Sequence, residues 1–580
     1  MSISNPFEYV GANDLSRETI LDYYIEDFNF SRFVNSTRNV FLVGERGCGK
    51  SMTLLYSSLP VQLLRSEKSG MQHGLEVIGV YIPCNTPLNH KREQHLLDNF
   101  RASVVSEHYF VISIAFSIFR TLDSAPDLFD EDVSLNFIAE VEFLLDGSLP
   151  PGDRIFWRIM QLLEKKNLEA QRKVNSREDL DVFFTETYSF STLIMPLLRL
   201  CRTIPKLQKS HFAFLIDDAQ DLNSEQRECL FSWVAFRDHS LFSIKVAITN
   251  LDRISLTTVS GGTILEGHDY TRINMVQPFQ SEGADFGRLA KQLIAKRLEK
   301  ANINATPEEF FPVSEAMLEK LKESEAVVRR EAEEKYGADS SKISDHVYKY
   351  KRAHFFRSRP PTSNRAEYSG FDTLVFLSTG VIRNLLLPCY WMFDKTVSTE
   401  GGPPSVWKKQ CISPLIQSDV VIEQSRRLWE IAEQELDKTL EGCSREDANR
   451  AYQLLDQLAI LFRERLLKHQ SEPRANSFTV SGKKGYAIKP LRRVIETLIS
   501  SQLLYVRMGS AKDKGRQERY YVPNRMLWPA RGLDPHGQHA RVSLLASDLW
   551  TAADQGKALP FDEKVGSDLI QMELFNDELQ

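Results

Sequence analysis

Apolar positions along this 580-residue chain follow two rhythms. Short apolar runs stand at Asn39–Val43, at residues 76–84, at His211–Ile216 and at Phe242–Ile248. Such a run suits a parallel strand covered on both faces. Between and after these runs, apolar residues recur about every 3.6 positions, the period of an amphipathic helix. That period predicts a long helix over residues 90–120, mostly helical structure over 125–200, an amphipathic helix over 284–303 and a strongly charged one over 314–336. Strands that alternate with helices predict an α/β fold around a parallel sheet. Farther on, the pattern predicts a long helix over Arg445–His469, a short strand at Phe478–Val480 and a helix over Pro490–Ser500. Two alternating strands follow, Leu503–Met508 and Gln517–Val522. Helices followed by a β-ribbon with a basic, glycine-containing loop predict a winged helix-turn-helix. The longest apolar segment, Tyr109–Phe119, is well short of the roughly 18 residues that cross a bilayer, so it reads as a buried helix.

The first strand runs into Gly44-Glu-Arg-Gly47-Cys-Gly49-Lys50-Ser51, the G-x-x-x-x-G-K-S pattern of a phosphate-binding loop. Its glycines permit a tight bend that points backbone N–H groups at phosphate oxygens. Lys50 is placed to reach the β- and γ-phosphates, and Ser51 to offer its hydroxyl to Mg²⁺. The nucleotide is therefore expected along Gly44, Glu45, Arg46, Gly47, Cys48, Gly49, Lys50, Ser51 and Met52, with the start of a helix against its phosphates. A second strand bearing carboxylates should complete the site. His211–Ile216 ends in Asp217-Asp218. Asp217 would hold Mg²⁺, and Asp218 would orient or activate the attacking water. Phe242–Ile248 is followed by Thr249-Asn250. A polar residue at the carboxyl end of a strand beside the phosphate strand can bind γ-phosphate or that water. Asn250 fits this place better than Thr249. In Leu377-Ser-Thr-Gly380-Val-Ile-Arg383-Asn384, Gly-x-x-Arg opens a helix, and Arg383 could pair with γ-phosphate as a planar fork.

In this order the motifs resemble the Walker A, Walker B, sensor 1 and sensor 2 series of AAA+ ATPases. The Ser-Thr-Gly-Val-Ile-Arg-Asn element and the C-terminal module look like those of the origin-recognition-complex clade, which comprises replication initiators and bacterial relatives. The resemblance covers roughly residues 1–60, 76–120, 205–300 and 370–530. It implies a parallel five-stranded core, a helical lid, ATP with Mg²⁺, hydrolysis, and nucleotide-dependent self-association. It also implies that residues 1–35, which carry Asn5-Pro-Phe and aromatic-acidic helical material, pack near the adenine. Asp217-Asp218 departs from the clade's usual Asp-Glu by one methylene, which implies slow hydrolysis. The same Asp-Asp occurs in STAND signalling ATPases. A trans-acting arginine finger usually precedes the last core strand, and Arg253 and Arg272 both fall in that region.

These readings divide the chain into four parts. Residues 1–282 form an AAA+ nucleotide-binding core with a helical insertion over about 125–200, and residues 283–400 a helical lid with a basic insertion. Residues 401–535, opening on the linker signal Gly401-Gly-Pro-Pro, carry a linker helix and the winged helix, and residues 536–580 an acidic, partly disordered tail. The composition, 42% apolar and 26% charged, is globular, and the net charge of −6 excludes a global basic field. A DNA surface must then be local. Arg492 and Arg493 could face a groove, while Lys512, Lys514 and Arg516 on the ribbon loop could meet phosphates. The basic and aromatic stretch 347–361 could grip a single strand or dock on an acidic neighbour. Seven scattered cysteines without paired spacing predict reduced thiols in a cytoplasmic protein with no zinc site. No secretion signal and no membrane partner are expected.

Two functions compete. One is a DNA-associated ATPase that assembles with itself around DNA. The other is a signalling switch ATPase, as in bacterial antiviral defence, which activates a separate effector protein and uses the winged helix to dock protein. The lid arginine favours the first and Asp-Asp the second.

Overall fold

The computed structural model describes residues 4–8, 11–26, 30–70, 74–84, 99–176, 187–236, 240–251, 254–275, 284–358, 368–440, 442–468, 475–483, 489–510, 517–537, 541–561 and 569–571. The chain divides into two compact units, Val10–Met275 and, together, Met1–Tyr9 with Val276–Gln580.

In the first unit the apolar runs become strands β1 (Val40–Val43), β2 (Val77–Pro83), β3 (His211–Asp217) and β4 (Phe242–Ile248), joined by β5 (Thr271–Asn274). They form one parallel sheet in the order β2-β3-β4-β1-β5. Register sets Val43 beside Ile248 and Asn274, and Pro83 beside Asp217, so the carboxyl ends line one edge. β3 and β4 are buried at every position. Lys245, inside β4, is tolerated because its Nζ donates to the carbonyls of Ser36, at 2.5 Å, and Arg38. Helix α1 (Lys50–Tyr56) follows β1. The chain leaving it crosses β2 at Gly79, where a Cβ would stand 2.2 Å from the Ser57 carbonyl oxygen.

The apolar segment at Tyr109–Phe119 belongs to α2 (Asn99–Asp123). Over residues 100–123 this helix is long and apolar enough to cross a membrane, which exceeds the length read from the sequence. Its most apolar window is 78% buried inside the protein, and Ile114, Ile118 and Phe119 share a core with the β2–β4 side chains. Helices α3 (Leu135–Leu144) and α4 (Ile155–Ser176) follow, with Phe137 of α3 edge-on to Phe156 of α4 at 6.5 Å.

The second unit contains α5 (Ala284–Lys300), α6 (Glu315–Tyr336), α7 (Ser340–Arg357), α8 (Ile382–Glu400), α9 (Pro414–Gln434) and α10 (Arg445–Lys468). Then come β6 (Ser477–Lys483), α11 (Lys489–Ser500), β7 (Leu504–Ser510), β8 (Gln517–Pro523), β9 (Arg541–Leu545), α12 (Ala546–Gln555) and β10 (Leu569–Gln571). β7 and β8 form the expected antiparallel ribbon, from Leu504 opposite Pro523 to Ser510 opposite Gln517. Strand β6 stands between α10 and α11.

Several expectations change here. Residues 1–35 divide between the units: residues 11–26 and 30–35 belong to the first, whereas in this one Phe7 packs on Phe310, Phe311 and Phe393, and Arg297 donates to the carbonyls of Pro6 and Glu8. The expected linker at Gly401 is a folded turn. Gly401 ends α8 at φ 76°, and the Gly402 carbonyl accepts from buried Trp407 at 2.8 Å. The lid stretch and the C-terminal module are joined by a buried polar link, since Tyr368 donates to Leu533 O at 2.9 Å. Within the expected tail after residue 535, the described residues form β9, α12 and β10. β9 pairs in parallel with β6, and α12 buries Leu549, Ala552 and Ala553. Alanine carries little apolar signal, so the helical period of α12 is hidden under an acidic average.

The basic and aromatic stretch lies largely on α7. There Phe355 and Phe356 are buried, Arg352 forks onto the buried carboxylate of Asp534, and Arg357 donates to Leu466 O. Lys349 and Lys351 pair with Asp345 and Glu325. These contacts inside the unit use most of the stretch, and residues 359–361 lie outside the described ones.

Candidate nucleotide site

β1 delivers the glycine-rich loop to the sheet edge. The Gly44 N–H still bonds Ile248 O at 3.2 Å, so the first glycine continues the sheet. The loop then turns through Gly47 at φ 86° and Gly49 at φ 100°, a conformation that strains residues bearing a Cβ. Lys50, 5% exposed, folds back and donates from Nζ to Gly44 O at 2.7 Å and Glu45 O at 3.0 Å. No carboxylate among the described residues pairs with it. A buried ammonium held only by neutral carbonyls retains a charge that an anion can satisfy. Arg46 stands at the rim, its side chain 55% exposed, 3.5 Å from Asp221. Cys48 is buried, and burial pushes its thiol up, away from the reactive thiolate. Met52 packs against the cluster of Ile20, Tyr24, Tyr56 and Val61, which makes it a support of the loop.

The acidic strand meets this loop. Asp217 ends β3 fully buried, Oδ1 accepting from the Asp218 N–H at 3.0 Å and Oδ2 from the Tyr81 hydroxyl at 2.7 Å. Ser51 lies close enough to the same carboxyl group to favour its charged form. Burial raises the Asp217 pKa and the neighbouring Asp218 charge adds to it, while Tyr81, Ser51 and Lys50 pull it down. A buried carboxylate of this kind is stabilised by a divalent cation. Among the described residues no group of three or more His, Cys, Asp or Glu gathers. A cation here would rest on Ser51 and Asp217, with water and phosphate oxygens completing its shell, as suits Mg²⁺. The residues present therefore fit a Mg²⁺-bound nucleoside phosphate.

Asp218 occupies the left-handed region at φ 54°, which aspartate tolerates in tight turns, and its Oδ1 accepts from Gln220 Nε2 at 2.9 Å. Thr249 and Asn250 follow β4, which lies between β1 and β3, and both are half-buried at the same edge. Tyr81 is the residue that the sequence did not offer. It stands on β2 opposite Leu215, so the two-residue strand period puts it on the same face as Asp217.

The other candidates belong to other elements. Arg272 sits within β5, opposite Phe41, not before the strand, and Arg253 lies outside the described residues. Arg383 belongs to the second unit, as the exposed second residue of α8, with no partner among the described residues. Its neighbours are tied to the C-terminal module: Thr379 O accepts from Arg507 at 3.1 Å, and Asn384 donates to the Tyr505 hydroxyl at 2.9 Å. On α11, Arg492 pairs with Glu496 at 3.1 Å and Arg493 with Asp447 at 2.8 Å. Lys512, Lys514 and Arg516 lie outside the described residues.

No curated protein matches the chain. A solved structure described as "Structure of the Aeropyrum Pernix ORC2 protein (ADPNP-ADP complexes)" is similar at 11% identity and a TM-score of 0.30, over 95% of this chain and 97% of that one. A likeness so distant carries no argument about the site. The family model described as ORC-CDC6-like matches residues 5–327 and 313–544, nearly the whole length. With a phosphate loop, an acidic strand end and a parallel five-stranded sheet in their expected places, the chain belongs to the ORC-CDC6-like family of AAA+ proteins.

Proposed function

We propose that the protein binds ATP with Mg²⁺, hydrolyses it slowly, assembles with itself in the ATP state and associates with DNA through its C-terminal module. The observation that carries the nucleotide reading is the meeting of Lys50, Ser51 and Asp217 at one sheet edge. Bound Mg²⁺ would neutralise phosphate charge. Lys50 would exchange its two loop carbonyls for phosphate oxygens, while Ser51 and Asp217 hold the cation. Asp218 would orient water, with Asn250 at the end of the neighbouring strand. The short Asp218 side chain, shared with Gln220, suits a slow reaction. Arg383, exposed at the start of α8, would read the γ-phosphate.

Family membership supports assembly and DNA association. Arg492–Glu496 is a surface pair, worth about 0–1 kcal/mol, so a DNA phosphate can displace it, while the exposed Arg493 reaches the buried carboxylate of Asp447. The same pairing favours a second reading, in which the module docks an effector protein and DNA leaves turnover unchanged. Phosphate release with MgATP and with EDTA, alone and with duplex DNA, tests the activity. Light scattering in ATP and ADP tests assembly. The ATP form should be larger and Arg383→Ala should shrink the difference, whereas a monomer in both nucleotides would rule assembly out.

A further inference from the structure

Helix α3 carries an apolar row that the described residues leave exposed. Phe137 and Val141 turn into the core, but Leu135 is 85% exposed and Phe143 81%, with exposed Ala139 between them. A spacing of four residues puts all three on one side of the helix. The helix is well formed, with Ser134 Oγ capping the Phe137 N–H at 3.1 Å. Single exposed apolar residues are ordinary. A nearly bare leucine and phenylalanine in one row are the pattern of a helix-docking face.

The surrounding charge indicates what docks. From Pro126 to Leu149 the chain has seven acidic residues and no basic one. Asp132 and Asp146 have ion-pair partners, Lys206 at 3.2 Å and Lys166 at 3.9 Å. Asp127, Glu131 and Glu140 are exposed and have no ion-pair partner among the described residues. We propose that this face of α3 docks a basic amphipathic helix of a partner protein. The partner's apolar side chains lie along Leu135, Ala139 and Phe143, and its lysines or arginines meet the acidic rim. The row is about 12 Å long, matching two turns of a helix laid beside it. DNA is disfavoured here by like charge. The surface includes none of the phosphate-site residues, so it is independent of the nucleotide reading.

Fluorescence anisotropy on the full-length protein tests this. The probes are a labelled amphipathic peptide of leucine and lysine, about 18 residues long, a scrambled peptide of the same composition, and a leucine–glutamate version. The basic amphipathic peptide should bind and the other two should not. Leu135→Ser with Phe143→Ser should weaken binding by about tenfold or more, since each removes a buried apolar contact. Ala139→Arg, which alters no core contact, should do the same by repulsion. Glu131→Gln with Glu140→Gln should weaken binding and reduce its salt dependence. Unchanged thermal midpoints confirm that all variants fold. Equal binding by wild type and variants, equal binding of the scrambled peptide, or no binding would each overturn the proposal. So would a loss of self-association by Leu135→Ser/Phe143→Ser in sedimentation velocity, which would assign the face to a second copy.

Discussion

The sheet edge of the first unit and helix α11 of the second both present positive charge, and they treat it differently. At the edge, Lys50 is buried on two neutral carbonyls, and it and the Ser51 hydroxyl both favour the charged form of the buried Asp217 carboxyl group. On α11, Arg492 and Arg493 lie at the surface in pairs with Glu496 and Asp447. The first arrangement leaves buried charge that a phosphate anion and a divalent cation would complete. The second is complete without a ligand. A buried, half-satisfied charge is therefore stronger evidence of a binding site than an exposed basic cluster.

The largest expected effect sharpens the first side of this contrast. Asp218→Asn keeps the turn and removes the charge that orients water, so turnover should fall by about 10²-fold while ATP stays bound. Single-turnover kinetics beside an equilibrium binding assay separate the two. Next is Tyr81→Phe, which removes a hydroxyl that holds Asp217. A support of this kind is worth about 10-fold in metal affinity, so the Mg²⁺ concentration for half-maximal turnover should rise by about that factor. An unchanged Mg²⁺ titration would make Tyr81 a packing residue.

A third test aims to break the contrast from the other side. If α11 meets DNA, Arg492→Ser with Arg493→Ser in the full chain should flatten the log–log salt dependence of duplex affinity by about 2 units. No change would leave the arginines as structural pairs. The full chain is needed because β9 and α12, beyond the ribbon, complete the module.

The smallest effect is on stability. The Asp217 pKa is raised, so the folded protein holds that proton to higher pH than the unfolded chain does, and stability falls as pH rises through that interval. Asp217→Asn should raise the thermal midpoint at neutral pH. The gain should vanish as pH falls toward the ordinary carboxylate range. A lower midpoint for the variant at pH 7 would contradict this sign.

What was legible follows from distance along the chain. The loop could be read because its glycines, Lys50 and Ser51 are contiguous and each meets a local backbone demand. Asp217 could be read because it closes an unbroken apolar run. Tyr81 could not, because it lies 136 residues from the carboxylate it holds and matters only through the β2–β3 register. The stretch on α7 left a nucleic-acid grip and docking on an acidic neighbour both open because Asp534, which Arg352 grips, is 182 residues away. The row on α3 was invisible because a helical period shows that a helix has an apolar side, not that two such sides share one helix.

Calorimetric titration of MgATP into wild type and Lys50→Ala tests the central claim most directly. The account predicts saturable, Mg²⁺-dependent binding to wild type and none to a Lys50→Ala protein of unchanged thermal midpoint. Equal affinity in the two folded proteins would contradict it.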